Sequence, residues 1–122
     1  LISNTYVNGK GVLRFDNDVT NIGQNAFLYS PITSITLPES VTSVGIAPFF
    51  GCYSLTEFKG KFASADGHCL IVDGVLNSFA PAGLTEYAIP DSVTTIGVST
   101  FSECNSLSSV IIPDIIDAIA IP

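Results

Sequence analysis

A single histidine, His68, lies close in sequence to Asp66 and Asp73, with Ser64 and Ser78 within ten residues on either side. Serine, imidazole and carboxylate are the parts of an acyl-transfer centre, in which the carboxylate orients the ring and the ring takes the serine proton. The chain offers no Gly-x-Ser-x-Gly elbow and no glycine run to aim backbone N–H groups at an oxyanion. A loop histidine beside a turn is the simpler reading, and no catalytic residue is assigned. Asp16-Asn17-Asp18 opens like a calcium loop but lacks the glycine and the closing glutamate that such a loop needs. No metal or cofactor site is assigned either. The remaining reactive groups are Cys52, Cys69 and Cys104. Whether they can meet depends on the elements that carry them.

The chain has 122 residues, enough for one domain with a continuous core. Hydrophobic residues make up 47% and charged ones 12%, the reverse of a disordered composition, so the chain folds. Eleven acidic residues face only Lys10, Arg14, Lys59 and Lys61, for a net charge of −7. That balance repels nucleic acid and anionic membrane surfaces. The longest apolar run, Ile111–Ile121, is interrupted by Pro113, Asp114 and Asp117, so no transmembrane segment is expected. The sequence starts at Leu1 and contains no methionine, which reads as a mature protein or a piece of a longer one.

Self-similarity organises the rest. Leu37-Pro38-Glu39-Ser40-Val41-Thr42-Ser43-Val44-Gly45 nearly duplicates Ile89-Pro90-Asp91-Ser92-Val93-Thr94-Thr95-Ile96-Gly97. In both copies a Phe follows four residues after the Gly (Phe49, Phe101), then Cys52 or Cys104, then Ser-Leu. Val19-Thr20-Asn21-Ile22-Gly23 with Phe27 is a fainter copy. L-x-x-L-x-L-like strands start at Ile32, Leu55, Leu84 and Leu107, spacings of 23, 29 and 23 residues, with a weaker copy at Leu13 and Phe15. This is the period of leucine-rich repeats. The units run roughly 10–31, 32–54, 55–83, 84–106 and a truncated 107–122, in a single domain.

One unit has a single apolar edge and cannot bury it alone. Stacking units at about 4.8 Å per strand produces a shared core with ladders of like residues. The expected fold is a leucine-rich repeat solenoid, β-rich, with short strands joined by short helical or 3-10 turns. Phe27, Phe49 and Phe101 should form one ladder. Gly23, Gly45 and Gly97 leave the Val-Thr-x-Ile strand and are expected at positive φ. Pro38, Pro90 and Pro113 should close the first strand of each unit. The 29-residue unit lacks the Pro-x-Ser-Val-Thr half and carries Asp73-Gly74 between apolar runs instead. That pair predicts a type I′ β-hairpin protruding from or capping one side, with Phe79 or Leu76 filling the gap in the Phe ladder.

Cys52 and Cys104 sit two units apart, about 9–10 Å at one strand spacing per unit. Disulfides need Cα atoms within roughly 7 Å. Three free, mostly buried thiols are therefore expected, with Cys69 the only partner within reach of either. On the concave sheet face, the residues flanking each middle apolar position should stack in two columns, Ser34, Glu57, Glu86, Ser109 and Thr36, Lys59, Ala88, Ile111. Of these, Ser34, Thr36, Glu57, Lys59, Glu86 and Ser109 are the candidate partner-binding residues. The apolar tail Ile115, Ile116, Ile119 and Ile121 has two outcomes open to it. It folds over the last unit, or it supports end-to-end self-association.

The Ile89–Gly97 segment with Phe101, Cys104, Ser106 and Leu107, and the Asp66–Leu76 hairpin unit, resemble the BspA-like leucine-rich repeats of surface and secreted bacterial proteins. The resemblance covers roughly residues 12–119. It implies a non-enzymatic, cell-surface or secreted binding module, adhesin-like, engaging a protein or glycan on a host or bacterial surface. A rigid spacer within a larger surface protein is the alternative.

Overall fold

The computed structural model describes residues 3–7, 10–14, 18–114, 116 and 118–119. Among these there are strands and turns and no helix. Two families of short strands alternate along the chain. The first comprises β4 (Ser34–Leu37), β6 (Glu57–Gly60), β9 (Glu86–Ala88) and β11 (Ser109–Ile111). The second comprises β3 (Asn21–Ile22), β5 (Ser43–Val44), β8 (Val75–Phe79), β10 (Thr95–Ile96) and β12 (Ala118–Ile119). Neighbouring units pair in parallel and in register, Ile35 on Phe58, Val110 on Tyr87, Ile22 on Val44 and Ile96 on Leu76. Like residues thus meet across each rung, and the inward ones are buried: Leu37, Val41, Leu55, Phe58, Leu76, Val93 and Ile96. The prolines act as read: Val41, Val93 and Ile116 N–H donate to the carbonyls of Pro38, Pro90 and Pro113, turning the chain after the first strand.

The connections after Gly23, Gly45 and Gly97 are chained β-turns, in place of the helical or 3-10 turns expected. Asn25, Ala47 and Ser99 hold equivalent positions at positive φ, and so do Tyr29, Gly51 and Glu103. Two left-handed residues in each short segment interrupt any helical run. The turns themselves stack: Phe27 N–H donates to the Pro48 carbonyl and Tyr29 N–H to the Phe50 carbonyl, both at 2.8 Å. Positive φ is not why Gly23, Gly45 and Gly97 are glycine, since none of them adopts it. Close approach is the reason at two of them. A Cβ on Gly45 would lie 2.8 Å from the Gln24 nitrogen, and one on Gly97 would lie 2.9 Å from the Leu76 oxygen.

Asp73 (φ 51°) and Gly74 (φ 80°) form the expected turn, joining β7 (Cys69–Val72) antiparallel to β8. The hairpin is part of the stack, because β8 pairs with β10 as a rung of the second strand family. Leu76 fills the Ile22/Val44/Ile96 column, and Phe79 takes the place beside Phe101, ring centres 4.9 Å apart. Phe27 and Phe49 stack at 5.2 Å, and Phe49 meets Phe58 edge-on at 5.1 Å. The interior divides into two apolar clusters, one around Leu37, Phe49, Leu55 and Phe58, the other around Leu76, Phe79, Tyr87 and Ile96.

Upstream, the weak copy at Leu13 lies within a two-stranded antiparallel ladder. Residues Lys10–Arg14 (β2) pair antiparallel with Ser3–Val7 (β1). Phe15 lies outside the described residues. At the other end, β12 adds to β10 in parallel and Ile116 packs on the second cluster, so this part of the tail folds over the last unit. Ile115 and Ile121 lie outside the described residues.

Candidate functional site

Within β6, Glu57 and Lys59 project on the same side and form a 3.4 Å ion pair, as period-two alternation requires. Ser34 stands opposite Glu57, and Thr36 opposite Lys59. Glu86 stands opposite Ser109, and Ala88 opposite Ile111. All eight are exposed except Glu57, which is half-buried. The two four-residue columns do not form, however. β6 and β9 are not hydrogen-bonded to each other. Gly67 takes the place beside β6 that a next strand would occupy, its carbonyl accepting from Phe58 N–H at 2.6 Å. The extra residues of the 29-residue unit are inserted here, so the six candidate residues fall into two patches. Ser34, Thr36, Glu57 and Lys59 form one, and Glu86 and Ser109 belong to the other.

The inserted segment carries a polar network built around Tyr87. Tyr87 holds the inward position that Ile35, Phe58 and Val110 hold in other units, so its hydroxyl enters the interior and needs a partner. It donates to Asp66 Oδ2 at 2.8 Å, and the Cys69 thiol in turn donates to the Tyr87 oxygen at 3.1 Å. The Ser64 hydroxyl and the His68 N–H both donate to Asp66 Oδ1, at 2.7 and 3.0 Å. Burial opposes the charge on Asp66, but these hydrogen bonds outweigh it and hold the carboxyl below its ordinary value. Burial pushes Tyr87 up, and its bonds to Cys69 and Asp66 push it further the same way.

His68 is not part of a hydrolytic triad. Its Nδ1 donates to the Ala80 carbonyl at 3.1 Å, which fixes the proton on that nitrogen, and its ring packs edge-on against Tyr87 at 5.8 Å. Ser64 is engaged with Asp66, and the buried Ser78 donates to the Asn77 side chain at 2.6 Å. Of the Asp16-Asn17-Asp18 run, only Asp18 is described, and it is exposed. Among the described residues, no group of three or more His, Cys, Asp or Glu side chains could hold a metal ion.

The three cysteines are free. The Cys52 thiol donates to the Phe27 carbonyl of the preceding unit at 3.1 Å. Burial raises Cys69 and Cys104 to about 11 and also raises Cys52. Thiols held protonated in this way are poor nucleophiles and poor metal ligands.

The variant unit leaves two gaps in the stack that the sequence reading passed over, although the missing Pro-x-Ser-Val-Thr half signalled them. On the turn side, Asn77, Ser78 and Phe79 floor a cleft between the Phe49–Tyr53 and Thr100–Cys104 turns. Tyr53 closes it by donating to Glu103 Oε2 at 3.0 Å, and the remaining space of about 20 Å³ suits a single water. On the opposite corner, a groove of about 460 Å³ lies open between Phe62, Ala63, Asp66 and Ile71 on one side and Pro90 and Ser92 on the other.

Parallel in-register rungs of 22 to 23 residues, with one inserted hairpin, are the geometry of a repeat family, and the comparisons name it. The family model described as "BspA type Leucine rich repeat region" matches in six copies, over residues 11–65 and 76–120. The chain belongs to the BspA-type leucine-rich repeat family. The break in the match, 66–75, coincides with the Asp66–His68 segment, β7 and the hairpin turn. Among solved structures, a leucine-rich repeat protein from Eubacterium ventriosum superposes with a TM-score of 0.69 at 22% identity. The match covers 86% of this chain and 30% of that one, and it shows the same fold. A leucine rich cell surface protein from Faecalibacterium prausnitzii gives 0.66 at 26% identity, over 83% of this chain and 29% of that one. The BspA-type chain thus spans about 30% of the length of either structure. Among curated proteins none matches it. No helix among the described residues is long and apolar enough to cross a membrane.

Proposed function

We propose that this chain is a non-catalytic binding module of a cell-surface or secreted protein, engaging a protein or glycan of a host or bacterial surface. The observation that carries the reading is the two outward patches of the first strand family. Ser34, Thr36, Glu86 and Ser109 are exposed on strands whose inward neighbours supply the core, so the fold spends them on neither packing nor turns. Rigid strands present such residues with little loss of conformational freedom on binding. Family membership and the similarity to the Faecalibacterium cell surface protein support a surface location. The test is a screen of immobilised matrix proteins, bacterial surface proteins and glycans. Hits lost on combined Ser34→Arg and Glu86→Arg substitution support the reading. A blank screen, or hits indifferent to those substitutions and to every other surface change, overturns it.

A rigid spacer is the second reading, favoured by the length of the relatives, of which this chain matches only about 30%. A full-length protein whose binding activity resides entirely in a different domain selects the spacer.

A further inference from the structure

The open groove on the variant unit has a composition that specifies its occupant. Its walls are apolar: Phe62, Ala63 and Ile71 from the inserted segment and β7, and Pro90 from the next unit. Phe62 is held at φ 68°, a region bulky side chains rarely enter. The bond from Ile71 N–H to the Phe62 carbonyl, at 2.9 Å, keeps the backbone in place and the ring on the groove wall. Ser92 lies on the opposite side; its repeat equivalent Ser40 donates to the Val19 carbonyl at 2.6 Å.

The one charged group in the lining is Asp66. Its carboxylate accepts three hydrogen bonds, from Ser64, the His68 amide and Tyr87, of roughly four that a carboxylate can take. One acceptor site is left. Lys61 Nζ lies over the Phe62 ring, 5.3 Å from its centre, and pairs with Glu39 at 3.9 Å, and Lys59 is paired with Glu57. With a net charge of −7, the chain attracts cationic partners to this corner. A second copy carries the same net charge of −7 and is repelled, which favours a separate cationic partner as the occupant.

We propose that this groove takes an arginine or lysine side chain from an extended segment of a partner protein, the aliphatic stem lying over Phe62, Ile71 and Pro90 and the charged head on Asp66. Long basic side chains combine an apolar stem with a charged tip, which is the pairing of surfaces found here. The volume of about 460 Å³ exceeds one side chain and admits the flanking residues of the segment. The proposal rests on the binding-module reading and assigns it a second surface, whose lining includes none of the exposed strand residues.

The test uses the whole chain, ¹⁵N-labelled, titrated with an acetylated and amidated pentapeptide of sequence Ala-Leu-Arg-Leu-Ala. Saturable shifts are expected at the amides of Ala63, Ser64, Ile71 and Ser92. Replacing the peptide arginine by citrulline, which keeps the shape and removes the charge, should weaken binding about tenfold or more. Asp66→Asn should weaken it similarly. Ala65→Arg, at an exposed residue of the groove lining, should abolish binding by filling the groove, and it carries the test if Asp66→Asn perturbs the fold. The absence of saturable shifts, shifts confined to other residues, or equal binding of the citrulline peptide overturns the proposal. A partner lost on Ser34→Arg but indifferent to Ala65→Arg overturns the groove while leaving the binding-module reading intact.

Discussion

Replacing Gly23, Gly45 and Gly97 by alanine, one at a time, separates two reasons for glycine at one repeat position. If left-handed backbone were the requirement, all three substitutions would be costly. The structure places all three at ordinary φ and makes the preceding rung the obstacle. A Cβ on Gly45 meets the Gln24 backbone at 2.8 Å, and one on Gly97 meets the Leu76 oxygen at 2.9 Å, so the rungs must separate by several tenths of an ångström. Overpacking of this kind costs about 1–3 kcal/mol. Gly23 has nothing within 4 Å of its would-be Cβ. There alanine should stabilise by about 0.4–1 kcal/mol, through the entropy it removes from the unfolded chain. Urea unfolding followed by circular dichroism reads the difference. At about 1–3 kcal/mol per molar for a chain of this size, the Gly23 and Gly45 variants should have midpoints on opposite sides of wild type, separated by roughly 1 M. A Gly23→Ala variant as unstable as Gly45→Ala would refute the close-approach argument.

Tyr87→Phe removes the acceptor of the Cys69 thiol and one donor to Asp66, and should cost about 1–3 kcal/mol in the same urea assay. Because Asp66 is held below its ordinary value in the folded state, its contribution is complete above about pH 4 and is lost as pH falls through the folded value. The stability gap between wild type and Asp66→Asn should therefore shrink between pH 6 and pH 2; a constant gap would show that the carboxylate's charge contributes nothing. A disulfide-exchange reagent at pH 8 should find about one thiolate in a thousand at Cys69 and Cys104, so labelling is slow, with half-buried Cys104 ahead of Cys52 and Cys69. Three thiols should react after denaturation. End-to-end association through the end of β11, where Ile111 is 65% exposed and the following Ile112 46%, predicts a scattering mass that rises with concentration and falls back in Ile111→Lys. A strict monomer at high concentration counts against it.

The repeat itself was legible because stacking demands the same residue type at the same place in every rung. Pro38 and Pro90, Val41 and Val93, and Phe49 and Phe101 are therefore written twice in the sequence. The hairpin was legible for a local reason, since Asp73-Gly74 suits a turn with two positive φ angles wherever it lies. The continuous binding columns were not, because extrapolating one strand per unit ignored where the six additional residues of the 29-residue unit would go. Only the packed structure puts Gly67 beside β6, divides the exposed strands and opens the groove beside Phe62. The same holds for Gly45 and Gly97, whose reason is a neighbour more than twenty residues away. A periodic sequence specifies what repeats; where one unit departs from the period, the outcome depends on which surfaces close over the difference. In this chain the departure created the polar network of Asp66, Tyr87 and Cys69 and the groove next to it.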